Sequence, residues 1–378
     1  MALRGPGAAV NWFLRNVTHD GKHALLERND SNAGAKHHVH FRVVEIATNK
    51  VVDDLDLEHL AALPRETIND GGSVRSHSLD KTLHTAEVAS DLSRAAKAFG
   101  RFPFGSAGRI AASFDGSIVA FNAGDWIYVA DGKGTVKKRV AEQASYHPRF
   151  SPDGKWLFFD KMTGPLDKVV SKYETFVVAS DLSTAPRRLE GTAELHESVV
   201  LASDNTLRGL VSAEPIIKTC LVSIAMTPPH AVKKGPCFEP PNGRLVGFVL
   251  SPNGAFAGIT TARDTNEEDP NSRTRYPDGG IKLGKKQAWA TRVLRASDGK
   301  TFTIDDKPGK PLFAISDEGL VVRTQILHAI QVDDVPNGKH REQATREFFG
   351  GIPAFRTPKE LVYEAAGTVR IFDVDAMR

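Results

Sequence analysis

One phrase constrains this chain more than any other: Ser151-Pro152-Asp153-Gly154-Lys155, followed by Trp156-Leu157-Phe158-Phe159. It reads as a tight turn feeding a strand. Proline presets φ at the first central position, Asp bonds its own backbone, and Gly accepts positive φ at no steric cost. Looser copies recur as Thr18-His19-Asp20-Gly21-Lys22, Ser113-Phe114-Asp115-Gly116-Ser117, Ser203-Asp204-Asn205-Thr206, Ser251-Pro252-Asn253-Gly254-Ala255, Ser316-Asp317-Glu318-Gly319 and Thr357-Pro358-Lys359-Glu360. A turn-plus-strand unit repeated along a chain marks a repeat architecture.

Apolar residues rich in β-branched and aromatic types follow the turns, as at Ile118 to Phe121 and Leu320 to Arg323. A second strand comes next, as in Trp126-Ile127-Tyr128-Val129-Ala130 or Thr175-Phe176-Val177-Val178. The continuously apolar members suit strands buried on both faces. Turns recur roughly every 40 to 65 residues, apart from one long gap after the first copy, which leaves room for four short strands per unit. The pattern predicts an all-β chain: a single β-propeller over residues 1–378, with seven four-stranded blades and a small helical insertion. The last copy has room for only two strands before the end of the sequence. The N-terminal strand, Val10 to Val17, is therefore expected to close the last blade.

Phe150-Ser151-Pro152-Asp153-Gly154-Lys155-Trp156-Leu157-Phe158-Phe159 resembles the repeat of TolB-like propellers, also described as WD40-like periplasmic repeats; Ser251-Pro252-Asn253-Gly254 and Ser113-Phe114-Asp115-Gly116 resemble it more loosely. The resemblance runs from about Val10 to Val374, with an interruption. It implies a propeller of bacterial cell-envelope type, used as a platform for other proteins, although some such propellers are enzyme domains. The separate N-terminal α/β domain of TolB has no counterpart in this sequence.

Two stretches break the pattern. Residues 58–108 are expected to be a partly helical insertion, with a short helix from Asp56 to Pro64 and apolar residues at helical spacing from Thr85 to Phe99. Residues 263–287 are expected to be a long loop insertion. Its oxygen donors, Asp264, Glu267, Glu268 and Asp269, are of the type Ca²⁺ prefers, but the spacing fails the EF-hand pattern. His38 and His40 would share one face of a strand, two ligands where Zn²⁺ needs at least three from protein. These six residues are weak candidates, and no metal or other cofactor is expected. Cys220 and Cys237 flank Pro228-Pro229, close enough to meet across neighbouring strands. A disulfide and two buried thiols both remain open, the first favouring an oxidising compartment.

Nucleophile and phosphate-binding motifs are absent: Gly105-Ser106-Ala107-Gly108 falls one residue short of Gly-x-Ser-x-Gly and leads into a strand. No catalytic residue is assigned. Lys+Arg at 49 nearly balances Asp+Glu at 46, so charge gives no case for nucleic acid. No apolar run reaches the 18 residues of a membrane span. The expected function is a non-enzymatic protein-binding scaffold, engaging another protein through loops and insertions, alone or as a subunit of a larger assembly; the alternative is a propeller hydrolase or lactonase-like enzyme with an acidic or metal-bearing funnel. The chain is expected to be periplasmic if a signal segment was removed, and cytoplasmic if it is complete.

Overall fold

The computed structural model describes residues 12–18, 20–30, 38–56, 67–68, 74–75, 110–113, 116–123, 126–131, 136–140, 145–163, 172–213, 218–239, 243–275, 281–304, 314–325, 329–344, 350–365 and 368–377. They are nearly all strand, ordered as successive antiparallel meanders. The first unit is β1 (Trp12–Val17), β2 (His23–Asp30), β3 (His38–Glu45) and β4 (Lys50–Asp56). A short pair, β5 (Thr67–Ile68) and β6 (Val74–Arg75), follows. The second unit is β7 (Ile110–Ala112), β8 (Ile118–Ala123), β9 (Trp126–Asp131) and β10 (Val136–Arg139); the third is β11 (Ser145–Phe150), β12 (Trp156–Met162), β13 (Lys172–Ala179) and β14 (Arg187–Arg188). The fourth is β15 (Leu195–Leu201), β16 (Thr206–Ala213), β17 (Lys218–Ala225) and β18 (Val232–Phe238). The fifth is β19 (Arg244–Leu250), β20 (Phe256–Arg275), β21 (Ile281–Arg295) and β22 (Thr301–Ile304). The sixth is β23 (Ala314–Ile315), β24 (Leu320–Gln325), β25 (Ala329–Asp334) and β26 (Lys339–Ala344), and the last has three strands, β27 (Gly350–Phe355), β28 (Glu360–Ala365) and β29 (Thr368–Asp373).

Apolar seams join these units face to face, and this is what makes the arrangement propeller-like. Leu157 and Phe159 pack on Ile127 of the second unit, while Phe158 points the other way, onto Leu201 and Leu207 of the fourth. Alternation along one apolar strand thus feeds two seams. Leu210 and Leu250 share the next seam, Val293 and Val321 the one after, and Val322 and Leu361 the next. Trp12, Leu14 and Leu26 then pack against Val362 and Val369, joining the first unit to the last.

β1 joins the two ends of the chain, as expected. It lies beside β27 in parallel at one register, Leu14 with Gly351, and so stands as the fourth strand next to β27, β28 and β29. It also pairs antiparallel with β2 as the opening strand of its own meander, so that the first and last units run on as one seven-stranded sheet. Of the expected 58–108 insertion, β5 and β6 are strand and the rest lies outside the described residues. Asp56, read as a helix cap, ends β4.

The repeated turns all join the first strand of a unit to its second, so they share one face of the molecule. Their wiring is common. The Ser151 N–H donates to the Trp156 carbonyl and the Gly154 N–H to the Ser151 carbonyl, as do the corresponding groups at Thr18, Ser113 and Ser251. The Ser151 hydroxyl donates to Asp153 and accepts from the Trp156 N–H. At Ser316 the loop is one residue shorter, closing on Leu320. The same short form places Ala202 and Arg356, not Ser203 and Thr357, at the first position, a one-residue shift from the sequence alignment. Asn205 (φ 59°) then takes the left-handed place that Gly319 (φ 86°) holds in the sixth unit.

Adjacent turns are tied together. The Ser203 N–H donates to Asn253 Oδ1 at 2.9 Å, and Asn253 donates from its own N–H and its Nδ2 to the Asp317 carboxylate, each at 2.9 Å. Asn253 therefore bridges three units. Asn253→Ala is expected to cost about 1–2 kcal/mol, given about 1 kcal/mol net per hydrogen bond. Asn253→Asp should cost more at neutral pH, because it sets a second carboxylate against Asp317. Urea melts of both variants check the order; Asp equal to or milder than Ala would contradict it.

Candidate functional site

The seam between the third and fourth units carries the chemistry the apolar pattern does not predict. Sheet alternation puts Arg149 of β11, Asp160 of β12 and Thr175 of β13 on the face that Phe158 and Val177 present to the fourth unit. Asp160 is fully buried and Arg149 is 5% exposed. Arg149 Nη2 lies 2.8 Å from Asp160 Oδ2, His147 Nδ1 lies 3.4 Å from the same oxygen, and the Thr175 hydroxyl donates to Asp160 Oδ1 at 3.1 Å. His147 occupies a bulge in β11 at φ 52°, which turns its ring toward Asp160 and against Tyr173, 5.1 Å between centroids. Burial opposes charge on Asp160, but the Arg149 guanidinium and the His147 contact outweigh it and hold the carboxyl down at about 2. Asp160 is therefore a fixed anion at neutral pH. It can orient a histidine and neutralise a buried arginine, but it cannot give up a proton.

At the turn face of the same seam, His230 stands edge-on to Trp156 (centroids 4.8 Å apart) and Phe158 (5.3 Å), 4% exposed. Its Nδ1 lies 3.2 Å from the Ala225 carbonyl, and Nε2 has no hydrogen-bond partner among the described residues. Burial pushes the imidazole pKa down from 6.5, against the Ala225 carbonyl, which favours charge; Arg187 adds to the depression and Asp153 opposes it. A histidine with a depressed folded pKa stabilises the fold above 6.5, and that contribution is lost as pH falls below 6.5. His230→Phe is expected to lose less stability than the parent between pH 7 and 5, measured by urea melts at each pH. Parallel pH curves would refute this.

The candidates read from the sequence are scattered. His38 and His40 lie on β3 opposite Asp30 and Arg28, and the His40 ring is half-buried; the His38 side chain is outside the described residues. Asp264, Glu267 and Glu268 are exposed on β20, and the Asp269 side chain is outside the described residues. Among the described residues no group of three His, Cys, Asp or Glu is placed to hold a metal ion. Cys220 and Cys237 face each other in register on β17 and β18, their sulfurs bonded at 1.98 Å. A cavity of about 410 Å³ opens between the first and last units, lined by Asp20, Lys22, Glu45, Arg356 and Thr357, among others. Its cations already have partners: Lys22 lies 3.8 Å from Asp20 and Arg356 2.9 Å from Glu360.

Residues 263–275 and 281–287, expected as loop, are paired strand. β19 stops pairing with β20 at Ala262, and β22 stops pairing with β21 at Thr291. The hairpin continues past both as a two-stranded arm. Ten residues of β21, Ile281 to Ala290, extend about 33 Å at about 3.3 Å per residue. Arg263, Asp264, Asn266, Glu267, Glu268 and Lys285 are exposed on it. Polar composition at 263–287 hid the ladder from a reading by periodicity.

No protein-family model matches the chain, and no curated protein matches it. Among solved structures it is similar to Sqt1 from Chaetomium thermophilum, at TM-score 0.47 and 11% identity over 98% of this chain and 97% of that one. Sqt1 has also been solved bound to the N-terminus of the ribosomal protein L10. Further similarities are to a puromycin-hydrolyzing peptidase of Mycobacterium tuberculosis (0.46, 10%, 98% of this chain and 53% of that chain) and to the dihydro-heme d1 dehydrogenase NirN in complex with DHE (0.41, 12%, 98% and 62%). This chain thus spans under two thirds of the latter two proteins. Among the described residues no helix is long and apolar enough to cross a membrane.

Proposed function

We propose that this protein is a non-enzymatic scaffold of the TolB-like propeller type, which engages a partner protein, alone or within a larger assembly, through the β20–β21 arm. The observation that carries this reading is the continuation of both strands beyond every strand that flanks them. A paired ribbon on a rigid multi-sheet body presents its polar groups at fixed positions, so less ordering entropy is lost on contact than from a free loop. The Cys220–Cys237 bond fits an oxidising setting such as the cell envelope.

The test shortens the arm. Asp264 and Gln287 are register partners, so residues 265–286 can be replaced by Asn-Gly, a two-residue turn suited to a hairpin. The shortened protein should keep the parent melting temperature within a few degrees and lose the partners that the parent captures by crosslinking and mass spectrometry. Retention of those partners would remove the arm from the binding surface. The hydrolase reading draws on one observation, the His147–Asp160 pair; esterase or peptidase turnover abolished by His147→Ala would move the function there.

A further inference from the structure

We infer that the outer edge of β21, from Ile281 to Ala290, is a docking edge that takes an extended acidic segment of a partner protein as an added strand. The inference rests on the arm being the partner-binding element. Strand edges carry unpaired backbone N–H and C=O groups, which template a further strand, and extended peptides use such edges for recognition. Along Ile281 to Ala290 no strand pairs with this edge among the described residues.

The two edges of the arm are not equivalent. β20 carries the extra residues at both register shifts: Asp264 and Glu268 oppose Gln287 and Lys285, while Asp269 and Arg273 oppose the adjacent residues Gly284 and Leu283. Bulges twist and interrupt an edge, which blunts it against pairing. β21 runs through the same region with no inserted residues, so its ladder groups stay in sequence.

Charge selects the occupant. From Ile281 to Ala290 the sequence holds Lys282, Lys285 and Lys286 and no acidic residue. A second copy of this edge would bring lysines against lysines, and like charges opposite each other on paired strands are destabilising. A strand carrying Glu or Asp gains instead. The lysines thus disfavour self-association of the edge and favour an acidic partner through one feature.

The probe is a fluorescein-labelled decapeptide of alternating Glu and Val, titrated by anisotropy into the full chain. Binding is expected, with at least tenfold loss when every backbone amide of the peptide is N-methylated and tenfold or greater loss for a Lys–Val peptide. In the K282E/K285E/K286E variant the preference should reverse toward Lys–Val. Equal binding of the N-methylated peptide, an unchanged charge preference in the variant, no binding of either peptide, or self-association through this edge would each overturn the inference. Partners lost by the shortened arm but kept by the triple variant would leave the arm standing and remove the acidic edge. Peptide capture by the edge, with native partners kept by the shortened protein, would do the reverse.

Discussion

Asp160→Ala is expected to destabilise the protein by about 3–5 kcal/mol, because it strands a buried cation. Asp160 is fully buried and Arg149 is 5% exposed, with 2.8 Å between Nη2 and Oδ2. Removing the carboxylate leaves the guanidinium with neither water nor counter-charge, and removes the acceptor for the Thr175 hydroxyl. Asp160→Asn should cost nearly as much, since it keeps the shape but not the charge. Replacing both partners, as Arg149→Met with Asp160→Leu, should recover most of the loss, because the cost lies in the unpaired charge rather than in the absent pair. The pair also gives a pH signature. The Asp160 carboxyl sits at about 2, below the ordinary 3.8. A depressed acid stabilises the fold above the unfolded value, so about 2 kcal/mol is in place above pH 4 and is lost as pH falls toward 2. Urea melts from pH 7 to 2 should show a shallower acid decline in Asp160→Asn than in the parent. A single substitution costing under about 1 kcal/mol would show that water reaches the seam.

The legible parts of this fold were those whose cause is local. Asp153 and Gly154 specify a turn within a few residues, and Trp156 to Phe159 specify a strand buried on both faces, so the meander could be read from the chain. Misalignment at Ala202 and Arg356 has a local cause too. Their turns close one residue earlier, and neither residue carries the hydroxyl that marks Ser151. What failed depended on distance. Counting strands after the last turn places β1 beside the last unit, but no residue of Trp12 to Val17 records that it also opens the first meander or that its seam partners are Val362 and Val369. The arm is not legible because its β20 half, Arg263 to Arg275, is polar apart from Pro270, which leaves no hydrophobic period to see. The Arg149–Asp160 pair did leave a trace: a charge directly beside an aromatic on each of two adjacent strands, Arg149-Phe150 and Phe159-Asp160. Charges placed so close to the core ask for a partner, and the next strand over is the nearest place to find one.

Removing the link between Cys220 and Cys237 is expected to cost about 3 kcal/mol. The bond closes a loop of 17 residues, and in the chain-entropy account a loop of that order restricts the unfolded chain by about that much. The sequence left this pairing open; the register settles which residues meet, because the β17–β18 hairpin sets Cys220 opposite Cys237. The loss should fall unevenly. Cys220 is fully buried beside Leu195, Val211 and Val222, whereas β18 is mostly exposed and anchors its far end with Phe238. With so little apolar burial of its own, β18 depends on its ladder and on the disulfide. The double variant Cys220→Ala/Cys237→Ala should therefore show faster amide exchange over Val232–Phe238 than over Lys218–Ala225, together with the global loss in a urea melt. Under native conditions with reductant, alkylation should reach Cys237 first, because Cys237 is exposed and Cys220 is fully buried. Two titratable thiols in the unreduced, denatured protein would show that the bond does not form, and uniform exchange across both strands would show that β18 is held by something other than the staple.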